Sequence, residues 1–222
     1  MAELVLWDVD HTLMATRGFG GELWAAAFEQ VTGAPLREQA EVTGSTERVI
    51  LRETARLHDI PFSDSLFARF ADALGTLHVR RAAELRERGH ALPGAAAALA
   101  ALAGRGVRQS VVTGNFRQAA EVKLAVFGLD TYLRLDDGAY AEDGEERAEL
   151  LATALDHAQV TAEKAVFLGD TPADVAGGRQ AGVRVVGVAT GRTPAAALRD
   201  EGADVVLADL SDTELVLAAV GV

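Results

Sequence analysis

Residues 4–13, Leu-Val-Leu-Trp-Asp-Val-Asp-His-Thr-Leu, open with an apolar run that reads as a buried strand and carry aspartates at alternate positions, Asp8 and Asp10. Alternation along a strand sets both carboxylates on one side. Two like charges at the end of a buried strand are costly unless a cation or a proton sits between them, so the pair asks for a metal ion. A calcium loop starting at Asp8 would need Gly at its sixth position and Glu at its twelfth, where the chain has Leu13 and Phe19. The plain alternative is an acidic surface turn.

From Pro93-Gly94 onward the pattern is regular. An Ala- and Leu-rich helix runs to about Gly104, Val107–Thr113 reads as a strand, and Phe116–Phe127 as a helix closed by Gly128. After a less regular stretch at 132–144 come a helix over 145–157, a strand over 165–168, a Gly-rich turn with a short helix to Ala181-Gly182, and a strand over 184–189. Thr193-Pro194 fits an N-cap with Pro at the first helical position, 204–207 is a further short strand, and Ser211-Asp-Thr-Glu214 fits a capping box. Strand and helix alternate, which predicts an α/β fold: a Rossmann-like, doubly wound parallel sheet covered by helices.

Residues 15–90 break this rhythm, with helical stretches at about 18–32, 45–58 and 64–88. Three successive helices exceed one crossover, so 15–90 are expected to form an inserted helical cap, and 1–14 with 91–222 the α/β core. Ligands of such sheets sit beyond the carboxyl ends of the strands. The polar residues cluster at those ends: Asp8 and Asp10, then Thr113-Gly114-Asn115, then Gly169-Asp170.

Composition narrows the chemistry. The chain has no cysteine, which excludes a disulfide framework and a thiolate metal site. Its net charge of −12, with Lys123 and Lys164 as the lysines, argues against a nucleic-acid-binding surface. Neither a basic leader nor a long apolar segment is evident, so the expectation is a cytoplasmic protein with no membrane partner. A small anionic substrate would be met in a pocket, by backbone amides, a few arginines and a metal.

On these residues the chain resembles the haloacid dehalogenase superfamily, in the branch with a helical cap that includes phosphoglycolate phosphatases. The family's first motif, Asp-x-Asp-x-Thr and an aliphatic residue, matches Asp8-Val9-Asp10-His11-Thr12-Leu13. Its second, a Ser or Thr ending an apolar strand, matches Thr113, and its fourth matches Gly169-Asp170 with Asp174 following. The third-motif cation is assigned to Arg147, at the start of the helix before the Asp170 strand, with Lys123 as the competitor. Both also have an ordinary reading as solvated helix residues. His11 stands where many members carry glycine, and its side chain has three possible places: lining the pocket, touching the leaving group, or facing solvent.

The resemblance implies a magnesium-dependent phosphatase acting on a small phosphorylated metabolite, as monomer or homodimer. Asp8 would be the nucleophile that becomes an aspartyl phosphate, and Asp10 the acid and base. Mg2+ would be held by Asp8, the Asp10 backbone carbonyl and Asp170, with Asp174 behind them. Thr113, the amides near Gly114 and Asn115, and the cation would surround the phosphoryl oxygens. In the cap, Thr43-Gly44-Ser45-Thr46-Glu47-Arg48 resembles the loop that reaches over the site: Gly44 would allow close approach, and Arg48 would meet a carboxylate or second phosphate. The alternative for this segment, Thr46 included, is a surface helix N-cap. Trp7 and Trp24 are expected to be packing residues.

Other functions fit less well. Dehalogenases lack the second aspartate, and a phosphonatase would need a cap lysine, whereas the first lysine here is Lys123. A receiver domain would be about half as long, without an insertion. A sugar phosphomutase and a non-catalytic binding protein on the same fold stay open. Phosphoglycolate, a sugar phosphate, a nucleotide and an acyl phosphate all stay open as substrates.

Overall fold

A computed structural model describes residues 2–222. In chain order the strands are β1 (Leu4–Trp7), β2 (Met14–Ala15), β3 (His90–Ala91), β4 (Arg108–Val111), β5 (Ala165–Gly169), β6 (Arg184–Val188) and β7 (Val205–Leu207). The helices are α1 (Phe19–Thr32), α2 (Glu47–Leu57), α3 (Asp64–Arg80), α4 (Ala82–Arg88), α5 (Ala95–Gly104), α6 (Arg117–Val126), α7 (Arg147–Ala158), α8 (Pro172–Gln180), α9 (Ala195–Glu201) and α10 (Thr213–Val220). No helix among the described residues is long and apolar enough to cross a membrane.

Five strands form one parallel sheet in the order β4-β1-β5-β6-β7. Every residue of β1 is buried, as an apolar strand covered on both faces must be. The chain runs from β1 to β4 on one side and then to β5 on the other, so a crevice opens where the winding reverses. The register is level there: Trp7 pairs with both Val111 and Leu168. Residues just past those three positions therefore meet at one height.

Between the short antiparallel pair β2 and β3 lie α1–α4. The ribbon brings the chain back beside its point of departure, with Met14 opposite Ala91 and Ala15 opposite His90. An aromatic cluster fastens these helices to the sheet. Trp24 packs on Phe28 and Phe70 with centroids 5.6 and 4.9 Å away, and Phe116, next to the Thr113 segment, meets Phe67 and Phe70 at 5.1 and 5.9 Å.

Several expected boundaries shift. The 64–88 helix breaks at Arg81 (φ −107°, ψ 21°), whose guanidinium lies over the Phe19 ring at 4.6 Å and bonds Glu84, so tertiary contacts override local propensity. α9 starts one residue later than Thr193-Pro194 suggests, because Pro194 is extended (ψ 150°) and is itself the cap residue. Asp212, not Ser211, caps α10, accepting from the Leu215 amide at 3.1 Å; the Ser211 amide is already used by the Asp209 carboxylate. The β2–β3 ribbon, two residues a side, was too short to show a period.

Candidate active site

The first strand ends at Trp7, so the two aspartates occupy the turn beyond it. The Asp8 amide still extends the ladder, donating to the Leu168 carbonyl at 2.8 Å, and the Leu13 and Met14 amides fold back onto the Val9 carbonyl. The alternation rule stops where the strand stops. Asp8 and Asp10 accordingly have different side-chain partners, Arg147 for the first and Lys123 for the second, although both line one cavity.

The Asp8 carboxylate belongs to a buried group with Asp170 and Asp174, in which one oxygen from each lies within 4.8 Å of the others. Burial, then the Asp174 charge, push Asp8 well above the usual carboxylate range, although Arg147 opposes the shift. Burial, Asp174 and Asp10 push Asp170 up to about 7. Thr12, whose hydroxyl donates to Asp170 Oδ1 at 3.4 Å, ties the two strand ends together. Three hard oxygen donors, crowded and short of positive charge, fit a hard divalent cation such as Mg2+. Asp174 is also spent locally: its Oδ2 accepts from the Thr171 amide and hydroxyl at 3.0 and 2.7 Å, which fixes the first turn of α8.

Asp10 faces the other way. Its Oδ2 accepts from Lys123 Nζ and from Asn115 Nδ2, both at 2.7 Å. Burial alone would raise its pKa, but the Lys123 ammonium and these hydrogen bonds hold it below its ordinary value. The Asn115 side chain also donates to Thr113 Oγ1 at 2.7 Å and accepts from Lys123 at 2.7 Å. It is thus the hub of this half of the site, a role the sequence reading, which used only its backbone amide, did not foresee.

Both candidate cations are buried here. Arg147 Nε lies 2.7 Å from Asp174 Oδ1 as a charge contact rather than an aligned hydrogen bond, its Nη2 lies 3.7 Å from Asp8, and its Nη1 donates to the Val112 carbonyl at 3.4 Å. The Glu149 carboxylate accepts from the Glu145 and Glu146 amides at 2.9 and 3.3 Å, so the start of α7, and with it Arg147, is pinned. Arg147 therefore sits with Asp8, and Lys123 with Asp10. Thr113 is fully buried, and it does not cap α6, whose cap residue is Phe116.

The 43–48 segment lies directly on the sheet end. The Glu47 amide donates to the Gly114 carbonyl at 2.8 Å. A Cβ at Gly114 would come 2.5 Å from the Ser45 carbonyl, and one at Gly44 (φ +71°) would come 2.6 Å from Ala173 Cβ. Both positions need glycine for that closeness. Thr46 caps α2, accepting from the Val49 amide, and its hydroxyl donates to the Glu145 carbonyl at 3.3 Å. Arg48 corrects an expectation: it does not reach the cavity. It pairs with Asp64 and Glu145 at 2.9 and 3.4 Å and covers the Phe67 ring at 4.4 Å, because the first turn of α2 aims it at α3 and the α7 entry.

A cavity of about 270 Å³ joins these parts, lined at the strand ends by Asp8, Asp10, Thr113, Gly114, Asn115, Lys123, Arg147 and Asp170. From the insertion come Gly44, Trp24, Glu47 and His78, and from the core rim His11 and Arg192. His11 is exposed, in left-handed conformation at φ 60°. Trp7 is a packing residue, bonded to Gln109. Trp24 is more than that, since it lines the cavity and donates to Glu47 at 2.6 Å. Glu47 entered the sequence reading only as a member of the 43–48 segment, and His78 and Arg192 not at all, because single charged or imidazole side chains carry no motif.

Residues 5–188 match the model of the family described as haloacid dehalogenase-like hydrolase. Over 109 residues the chain is 38% identical to a phosphoglycolate phosphatase of Rhodospirillum rubrum, covering 48% of this chain and 45% of that protein. It is 25% identical over 221 residues to a phosphoglycolate phosphatase of Nitrosococcus oceani, covering 97% and 96%. The chain spans about half the length of three of the curated relatives it matches, 45%, 51% and 50%. A β-phosphoglucomutase structure from Clostridium difficile superposes with a TM-score of 0.73 at 15% identity over 99% of this chain and 97% of that one, a likeness of fold alone. The family match over most of the chain, on a parallel sheet whose strand ends carry these aspartates, establishes that the protein belongs to the haloacid dehalogenase-like hydrolases.

Proposed function

We propose that the protein is a magnesium-dependent phosphatase that hydrolyses a small phosphomonoester through an aspartyl phosphate on Asp8. The observation that carries this reading is the division of labour around one cavity: Asp8 beside Arg147 and the acidic group, Asp10 beside Lys123. Residues 15–90 act as a cap over a core of 1–14 and 91–222, and the phosphatase names of the relatives point to the same chemistry.

Asp8 attacks phosphorus as its ester oxygen departs, and the P–O bond to the alcohol breaks as the P–O bond to Asp8 forms. The departing oxygen takes a proton on the Asp10 side. In the free chain Asp10 is ionised, so the proton donated there is one carried next to it by the Lys123 ammonium, 2.7 Å away. Water then attacks the phosphorus, Asp10 accepts its proton and returns it to Lys123, 2.7 Å away, and phosphate leaves with Asp8 restored as a carboxylate. Thr113, the Gly114 and Asn115 segment and Arg147 hold the equatorial oxygens. A divalent cation held by Asp8 and Asp170, backed by Asp174, would keep these carboxylates ionised and offset the phosphoryl charge.

Phosphate release from p-nitrophenyl phosphate and a panel of phosphomonoesters, with and without Mg2+, tests the reading. Metal-dependent release supports it, and transfer between sugar positions without release would identify a mutase.

A further inference from the structure

The cavity has two chemically unlike halves. The strand-end half carries the cations and the metal-fitting carboxylates. The cap half is lined by Trp24, Glu47, Leu74 and His78, and no Lys or Arg of the described cap residues 15–90 lines it.

His78 is 2% exposed, and its Nδ1 lies 2.9 Å from the Leu74 carbonyl. A carbonyl only accepts, so Nδ1 carries the hydrogen. Burial, and then the Lys123 charge, lower the His78 pKa to about 4, which leaves the ring neutral near pH 7 and Nε2 a bare lone pair. That Nε2 is buried with no partner. An acceptor left so costs about 1–3 kcal/mol, which a donor arriving with a ligand would offset. Glu47 supplies a second acceptor on the same wall, its Oε2 fixed by the Trp24 indole at 2.6 Å.

Resting on the phosphatase reading of the site, we propose that the alcohol portion of the ester is an uncharged, hydroxyl-bearing chain, a polyol or sugar. Its hydroxyls donate to His78 Nε2 and Glu47, and a carboxylate is rejected there. A carboxylate has no hydrogen to offer the lone pair, and burial, which pushes Glu47 itself up to about 7, shows how poorly this wall holds a negative charge, while Arg48, the cap cation nearest in sequence, is bound to Asp64 and Glu145. An ammonium group meets the Lys123 charge, which acts on both His78 and Glu47, and Glu47, pushed up to about 7 by burial, offsets that repulsion only in part. Arg192 also lines the cavity, but from the exposed core rim, where its charge acts on Glu41.

The test uses small esters with different ends: glycerol 1-phosphate, 2-hydroxyethyl phosphate, phosphoglycolate and phosphoethanolamine. Binding with Mg2+ is read from tryptophan fluorescence in Asp8→Asn, which does not turn the esters over, and kcat/KM is read in the wild type. The hydroxyl esters are expected to lead phosphoglycolate and phosphoethanolamine by at least about tenfold in both readouts, as a lost polar partner in a specific site implies. His78→Phe should collapse that ratio, and Glu47→Arg, at the cavity wall, should shift it toward phosphoglycolate. Equal or better binding of phosphoglycolate or phosphoethanolamine, binding of no ester, or ratios unmoved in both variants would overturn the proposal. Release from p-nitrophenyl phosphate is measured alongside: its absence with the binding ratio intact would sink the phosphatase reading alone.

Discussion

Lys123 Nζ donates to Asp10 Oδ2 at 2.7 Å across 113 positions of sequence, and against burial this contact, with the Asn115 bond, holds the Asp10 pKa below its ordinary value. With Lys123→Met the depression of the Asp10 pKa disappears and burial is left to raise it. The acid limb of the kcat/KM profile should then move up by about one to three pH units, the usual worth of an opposite charge at contact. Alkyl phosphates, whose leaving oxygen needs a proton, should slow more than p-nitrophenyl phosphate. Equal slowing of both would remove Lys123 from the proton path.

The Asp8, Asp170 and Asp174 group predicts an unusual pH dependence of stability. In the metal-free protein the folded-state pKa values of Asp8 and Asp170 are raised, Asp170 to about 7, so between about 4 and 7 the native state binds more protons than the unfolded one. Metal-free stability should therefore fall as pH rises through that window. Added Mg2+ should raise the melting temperature more at pH 8 than at pH 5, because ligation needs the ionised carboxylates. Calorimetry with and without the ion reads both effects, and a flat metal-free profile would contradict the electrostatics.

Arg147 is the buried counter-charge of the same group, 2.7 Å from Asp174 and 3.7 Å from Asp8. Removing one partner of a buried pair costs about 3–5 kcal/mol. Arg147→Met should show that loss in denaturant unfolding at pH 8 and a smaller one at pH 5, where protonated carboxylates no longer need the cation.

Gly114 and Arg48 predict opposite outcomes. Gly114→Ala places a methyl 2.5 Å from the Ser45 carbonyl, so the cap loop must lift. A displacement of this size is expected to lower kcat/KM by about tenfold or more with little change in melting temperature. Arg48→Ala, whose partners are Asp64 and Glu145 at the periphery, should leave KM unchanged and cost no more than about 1 kcal/mol. A rise in KM would return Arg48 to the site.

The sheet and its site-bearing ends were legible because apolar strands ending in Asp8, Thr113 and Asp170 combine local pattern with chain order. The details that escaped are those settled by tertiary contact. Whether Asp10 turns toward Asp8 or away depends on where β1 stops and on Lys123, far along the chain. Arg147 and Lys123 competed as one motif cation, whereas the fold uses each against a different carboxylate. Arg48 looked like a ligand by its place in the loop, yet the direction of the first turn of α2 sends it outward and leaves Glu47 at the cavity. His78 shows nothing in sequence, since a histidine on a buried helix face is most often packing.

The central claim is that Asp8 is the nucleophile, and phosphate release by Asp8→Asn beside the wild type, with Mg2+ present, tests it most directly. The substitution removes one member of a crowded acidic group, so the variant should stay folded and melt no lower than the wild type without metal. Release falling by about a thousandfold or more in a folded variant is the predicted result for loss of a nucleophile that no neighbour replaces. Release at near wild-type rate from Asp8→Asn would contradict the account.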